Sequence, residues 1–326
     1  MRDVARRAGD VHPSTVSLAL RNSPNISPVV RAKIQAIAKK IGYRRDPLLD
    51  AFNQHRLKNL PQRSSRHIAA ISDFSSAEEL ARSPHHAATR LGAMEAAARL
   101  HCQFDFFFCG PGQPNPRRLD AVLDARGIRA LLLFGVKTES ASLEFTWART
   151  CTVAIDSLQL TVPLYRVTPD YREATRLLWR QAWARGHKRI AMIRHSPNAD
   201  PVEERALAGY LLEQYRHPEA TPIPVFQLAR ERGDKARFKT WQHTHRPEVI
   251  IHPSAATPFL TQSLTGKSLR CLAYDASRPD EPGVMPNYRD VGRHAIEQLV
   301  TLMQTNQLGL PSAAACTYVP VNLQTA

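Results

Sequence analysis

Apolar positions along this chain fall into three regimes. Over the first 45 residues they recur at helical spacing in three short runs, from 46 to 66 they thin out, and from 67 onward short apolar runs alternate with longer helical patterns. In the first regime the spacing predicts one helix over 2–8 that stops at Gly9, and a second that opens near Pro13. A third enters through Ser27 and Pro28 and continues through Val30, Ile34, Ile37, Ala38 and Ile41 to Gly42. Proline suits a first helical turn because its missing N–H has no partner there, and a serine just before it caps the free amides. Val4, Ala5, Ala8, Val16, Leu20, Ile34 and Ile37 then close one small core. Two short helices joined by a tight polar turn read as a helix-turn-helix.

Residues 46–66 carry Pro47, Pro61, His55, Lys58 and Arg63 without a sustained apolar period, which is the composition of a hinge or linker. Its middle, 47–54, predicts a short helix that forms on docking. Beyond it, strands are expected at 68–71, 104–108, 130–134, 152–155, 189–193, 248–252 and 270–274, and helices near 91–100, 174–185 and 295–302. That alternation belongs to a doubly wound α/β architecture. A second cycle of βα units after about residue 165 implies two similar lobes around a cleft, and ligands of such sheets bind outside the carboxyl ends of the strands. The expected division is an all-α head at 1–45, a hinge at 46–66 and an effector-binding and dimerisation domain at 67–326. Within the last, the N-lobe takes 67–160 with 290–308 and the C-lobe takes 161–289 with 309–326.

Charge sharpens the reading of the head. The chain of 326 residues has a formal net charge of +15, and residues 1–66 hold 14 Lys and Arg against 4 Asp and Glu. Cations concentrated on a small head point to phosphate, because neutralising a polyanion releases its condensed counterions. The 43% hydrophobic content suffices for a substantial core. Five scattered cysteines, odd in number and without metal-site spacing, imply neither a disulfide framework nor a zinc site and suit a reducing cytoplasm. No run of 18 apolar residues and no apolar export segment is present, so neither a membrane nor export is expected. The chain has no Gly-x-Gly-x-x-Gly, no phosphate loop with lysine, no His-Glu-x-x-His and no Gly-x-Ser-x-Gly, so neither an enzyme nor a cofactor is expected. His85-His86 and His243-Thr244-His245 read as solvated loop residues.

The ordered set of motifs resembles the lactose-repressor/galactose-repressor family of bacterial transcription regulators over nearly the whole chain. It comprises Asp3-Val4-Ala5 with Ala8-Gly9, Thr15-Val16-Ser17, Ile26-Ser27 before Arg31, and Gly42-Tyr43. Further along come Asp170, Gly186-His187-Lys188-Arg189-Ile190-Ala191, Arg205 with Gly209-Tyr210, Tyr274-Asp275, and Val291-Gly292. The resemblance implies a helix-turn-helix head on a periplasmic-binding-protein-like body. It also implies a homodimer on a pseudo-palindromic double-stranded operator and a small effector, such as a sugar or glycoside, between the lobes.

In a helix-turn-helix the second helix enters the major groove and its N-terminal side chains reach base edges. Those positions are His12, Pro13, Ser14 and, one turn on, Leu18 where the family often has arginine; leucine touches a thymine methyl but cannot fork onto guanine. Thr15, Ser17, Arg21, Asn22 and Ser27 are placed for phosphate contacts, which fix register. Five residues, Asp10-Val11-His12-Pro13-Ser14, separate Gly9 from Thr15 where the family usually has four, and the chain opens almost on the first helix. The extra residue, placed at Asp10, lengthens the turn and sets a negative charge near phosphate. In the hinge, Leu49 and Phe52 match the family's minor-groove wedge, with Arg56 near the backbone. For the effector, Arg205, Asp275 and Asp73 are the candidates; the competing reading of the first two is an ion pair at the lobe junction. Ser254-Ala255 replaces the family's Asn-Asp pair and removes polar groups from one cleft wall, leaving hydrophobic or nucleobase effectors open. Two other readings remain: a constitutive DNA-binding regulator without effector response, and a pure solute-binding protein.

Overall fold

A computed structural model describes residues 2–9, 11–20, 26–41, 66–136, 145–156, 162–195, 201–229, 231–264 and 269–323. Asp10, Arg21, Asn22, Leu49, Phe52 and Arg56 lie outside the described residues, and of Pro13, Ser14 and Ser17 only the helical backbone is described.

The head consists of α1 (Arg2–Arg7), α2 (Pro13–Leu20) and α3 (Pro28–Lys40). Gly9 follows α1 at φ +103°, a left-handed turn that glycine adopts without a Cβ clash. The Val30 N–H donates to Ser27 Oγ at 3.4 Å, so the expected cap starts α3. Val4, Ala5, Ala8, Val16, Ile34 and the two alanines Ala19 and Ala38 form the core, with Leu20 and Ile37 at its margin. Gln35 Nε2 donates to the Ala19 carbonyl at 3.1 Å, which satisfies an orphan acceptor at the end of α2 and ties it to α3.

The body contains two parallel sheets. The first holds β1 (Arg66–Ser72), β2 (Cys102–Phe108), β3 (Ala130–Leu133), β4 (Cys151–Ile155), β5 (Tyr165–Pro169) and β11 (Cys316–Val319), in the order β11-β5-β4-β3-β1-β2. The second holds β6 (Ile190–His195), β7 (Phe226–Leu228), β8 (Val249–His252) and β9 (Arg270–Ala273), in the order β7-β6-β8-β9; β10 (Val284–Pro286) and β12 (Val321–Leu323) pair antiparallel. Helices α4 (Ala77–Ala81), α5 (Pro84–Arg99) and α6 (Pro116–Ala125), joined late by α11 (Tyr288–Thr305), cover the first sheet. Helices α7 (Tyr171–Ala184), α8 (Pro201–Arg216), α9 (Asp234–His245) and α10 (Thr257–Ser263) cover the second.

Coverage on both faces explains why these strands are apolar at nearly every position. Ile68 and Ala70 of β1 pack with Ala93, Ala96, Ile296 and Leu299, while Ala69 and Ile71 pack with Leu119 and Leu123 on the opposite face. In the second sheet, Ile190 and Met192 meet Leu178, Trp179 and Tyr210; Ala191 and Ile193 meet Phe238 and Leu260. Helices α5 and α11 cross so closely that a Cβ at Gly92 would run into the Arg289 carbonyl and one at Gly292 into the Thr89 carbonyl.

The lobe boundaries differ from expectation. Strands β5 and β11 pair into the first sheet, although the sequence reading assigned 161–289 and 309–326 to the second lobe. Both strands are hard to see as apolar runs: β5 places Arg166 and Thr168 among its five residues and ends in proline, and β11 is a half-exposed edge strand. The remaining unanticipated strands, β7, β10 and β12, have three residues each.

Candidate functional site

Two surfaces carry chemistry. On the head, His12 and Leu18 are exposed at the start and middle of α2, Leu18 with 36% of its surface accessible although it sits on a helix packed into a core. Thr15 is half-buried and its N–H turns back to the His12 carbonyl at 2.8 Å. Ser27 is exposed, with its hydroxyl serving the α3 cap. Arg31 Nη2 donates to the Ile26 carbonyl at 2.9 Å and braces the entry to α3, while Arg6, Arg7, Lys33, Lys39 and Lys40 stay exposed. The head thus carries an exposed Leu18 on α2 with an exposed His12 just before it, and five exposed cations on α1 and α3.

The second surface lies at the carboxyl ends of the parallel strands. β1 delivers Asp73 and Phe74, β3 Phe134 and Gly135, β4 Asp156, β6 His195, β8 Ser254, and β9 Tyr274 and Asp275. Asp275 accepts from the Ser254 N–H at 2.6 Å. Burial, joined by Glu281, Glu203 and Asp156, pushes its carboxyl up to about 7 against that hydrogen bond. Asp156 sits at φ +67° and accepts from the hydroxyls of Thr168 at 3.0 Å and Tyr171 at 3.2 Å. Tyr171 and Tyr288 are buried beside these carboxylates, and burial first, then the neighbouring acids, keeps both phenols neutral donors.

Around this centre the acids of the second lobe are closed on themselves. Glu203 accepts from the His195 N–H at 2.8 Å and lies 2.7 Å from His195 Nδ1. Glu281 accepts from Ser254 Oγ at 2.6 Å, from the Ser277 N–H at 2.9 Å and from Thr257 Oγ1. Burial works against its charge, but these hydrogen bonds and nearby His252 hold it below the usual carboxylate range. Substituting Ser254-Ala255 for an Asn-Asp pair therefore does not strip this wall; Ser254 orients two carboxyl groups at once.

Arg205 and Asp275 are not joined as an ion pair. The Arg205 guanidinium lies over the Tyr318 ring of β11, 5.7 Å from its centroid, and its Nη1 is buried without a hydrogen-bond partner. Asp73 stands half-buried in the first lobe, near enough to Cys109 to add to the burial that pushes that thiol up to about 11. Sequence reasoning missed Asp156, Tyr171, Glu203, Glu281 and Tyr288; Asp156 alone had a visible signal, ending an apolar run as Asp275 does. It also misplaced the histidines: His85 and His86 occupy the first turn of α5, half-buried among rings, and His243 and His245 the last turn of α9. His86 packs against Phe74 and Phe134 and His85 against His86 and Tyr288, which withdraws that pair from solvent, whereas His243 is exposed as expected. Among the described residues no group of three metal-ligating side chains forms, and no helix is long and apolar enough to cross a membrane.

Residues 1–46 match the model of the bacterial regulatory proteins of the lacI family. No curated protein matches the chain. Among solved structures, the transcriptional regulator CelR in complex with cellobiose is 19% identical with a TM-score of 0.61, covering 99% of this chain and 98% of that one. The Lac repressor dimer bound to operator and the anti-inducer ONPF is 16% identical at 0.54, covering 99% and 96%. The transcription regulator CcpA of Lactococcus lactis is 13% identical at 0.59, covering 81% and 98%. The head of this chain is thus similar to that of the lacI family of bacterial regulatory proteins, and 99% of the chain shares the fold of the CelR–cellobiose structure.

Proposed function

We propose that this protein is a sequence-specific transcription regulator of the bacterial cytoplasm, acting as a repressor when two copies grip a pseudo-palindromic operator. The observation that carries the reading is α2 with its exposed Leu18 and His12, set on a packed three-helix head of lacI-family type whose α1 and α3 carry exposed cations. Phosphate contacts supply affinity, and α2 supplies sequence preference. The strand-end cleft holds a small effector, with Arg205 and Asp275 as its contacts and a sugar or glycoside as the first class to consider, since one similar structure is a cellobiose complex. An effector that favours one lobe arrangement shifts the population between dimers that hold the heads at operator spacing and dimers that do not. In the hinge, Leu49 and Phe52 are the proposed minor-groove wedge and Arg56 a backbone contact.

Selection of DNA from a random library with the purified chain, repeated across salt concentrations, tests this. Enrichment of a two-fold site with a steep salt dependence is expected. Weak, sequence-independent binding at every salt concentration would overturn the reading.

A further inference from the structure

We infer that the outward face of α8 is a self-association surface, on which two copies of this chain pack α8 against α8, antiparallel about a two-fold axis. The surface belongs to the second lobe and serves neither the operator contact nor the effector cleft proposed above. Helix α8 buries Glu203, Ala206, Tyr210 and Glu213, and the positions that point the opposite way are Glu204, Ala208, Leu211 and Tyr215. A helix lying on a core keeps its outward face polar unless something covers it. Helix α7, packed beside α8, obeys that rule and exposes Arg172 and Arg180. On α8 three of the four outward residues are apolar or aromatic; Leu211 is 49% exposed and Tyr215 85%. The face is also held firmly, because α7 and α8 cross so closely that a Cβ at Gly209 would run into the Arg172 carbonyl. A contact made by a rigid helix loses little freedom on association.

The pattern on this face is complementary to itself. Positions 204, 208, 211 and 215 advance by four, three and four residues, which is the seam spacing of a two-helix coiled coil. With a two-fold axis passing between 209 and 210, Ala208 meets Leu211 of the second copy and Glu204 meets its Tyr215. Small faces large, so the helices can close in. At each end the Glu204 carboxylate then comes within reach of the Tyr215 hydroxyl and the Arg216 guanidinium of the second copy. Glu204 is exposed and has no ion pair among the described residues. Arg216 is exposed and stands 3.8 Å from Glu213, which Arg176 at 2.8 Å and Arg180 at 3.0 Å already hold. The acid sits in the first turn and the cation in the last, so the antiparallel pair sets opposite charges and opposite dipole ends against each other. A parallel pair would set Glu204 against Glu204. Contact with some other face of the chain would have no such match and would grow into open chains instead of closing. One helix from each copy makes a small interface, so the affinity falls on the order of micromolar.

Sedimentation of the full chain across nanomolar to micromolar concentrations reads the assembly. The parent should show one doubling of mass that Leu211→Glu lacks or reaches only at tenfold higher concentration, since the variant buries an unpaired charge in the seam. Leu211 lies outside the core of the second lobe, and thermal melting of the variant reports its fold. A second experiment reads the register. Ala208→Cys mixed with Leu211→Cys should cross-link under mild oxidation faster than either variant alone, with the parent as the blank for its own five cysteines. Equal masses for the parent and a folded Leu211→Glu at every concentration, cross-linking no faster in the mixture, or open polymers in place of one doubling would overturn the inference. A chain that shows the doubling but enriches no DNA site would keep this surface and lose the regulator reading instead.

Discussion

The Tyr171 hydroxyl donates to Asp156 Oδ2 at 3.2 Å, joining the first turn of the leading second-lobe helix to the end of a first-lobe strand. Tyr171 is buried and Asp156 half-buried, and the Thr168 hydroxyl holds the other oxygen of Asp156. Tyr171→Phe deletes the donor and leaves the ring in place. A loss of about 1 kcal/mol in unfolding free energy is expected, the ordinary net value of one such hydrogen bond. Urea unfolding measures it, and an unchanged midpoint would show that the bond does not bind the lobes.

Asp275 gives the fold a pH dependence of definite sign. Its carboxyl titrates near 7 in the folded chain, well above the value of an unfolded aspartate, so between about pH 4 and 7 the folded state holds the proton that the unfolded state has lost. This residue's contribution therefore falls as pH rises through that window and is most unfavourable above 7. Asp275→Asn keeps an acceptor for the Ser254 N–H and removes the charge. The variant should be more stable than the parent at pH 8, by an amount on the order of a few kcal/mol, and the difference should vanish by about pH 4. A difference constant with pH would place the Asp275 charge in water.

Much of this architecture is legible in the sequence, and the physical reason is uneven. Strands buried on both faces, such as β1 with Ile68, Ala69, Ala70 and Ile71, stand out because every position must be apolar. Ser27 and Pro28 announce α3 because capping and φ restriction are local effects. The crossover strands β5 and β11 do not announce themselves: β11, at the sheet edge, tolerates an exposed Tyr318, and β5, next to it, tolerates a half-buried Arg166. The cleft is legible only where a strand ends in an acid. Arg205 and Asp275 come from motif order and Asp73 from its place after the first strand, whereas Glu281 and Tyr288 reach the site through helix and loop placement that no local pattern encodes. His85-His86 illustrates the limit: two polar residues after Ser83-Pro84 look solvated until the rings at the ends of β1 and β3 are brought against His86 and Tyr288 against His85.

Close helix crossing makes Gly92 intolerant. An added methyl would collide with the Arg289 backbone carbonyl, which cannot rotate away as a side chain does, so α5 and α11 must separate along the core of the first lobe. Gly92→Ala should cost roughly 1–3 kcal/mol or more, the usual range for overpacking a filled interior. Gly112→Ala is the control: at φ +80° nothing lies within 4 Å of the new methyl, so only the backbone penalty of about 1 kcal/mol applies. Equal melting losses in the two variants would show that crossing distance does not limit this interface.

Arg205 separates effector binding from DNA binding. Its guanidinium rests on Tyr318 with Nη1 unpartnered, so no hydrogen bond of the ligand-free fold is lost through that nitrogen in Arg205→Ala. The operator affinity of the effector-free chain should match the parent's, and the change in affinity that an effector causes should shrink tenfold or more. Loss of effector-free operator binding would make Arg205 a strut between lobes instead of a ligand contact.

Leu18 tests whether α2 reads bases. It is accessible over 36% of its surface and lies outside the head core, so Leu18→Ala should leave head stability within about 0.5 kcal/mol of the parent. A leucine against the major groove favours a thymine methyl, and its truncation should relax preference at one position in each half-site. Because the side chain carries no charge, no counterion release depends on it, and the slope of binding against salt should not change. DNA selection with the variant, run beside a salt titration, reads both quantities. A changed base preference at constant slope places Leu18 on a base edge; an unchanged preference with a full affinity would turn α2 away from the groove floor and leave recognition to other residues of the head.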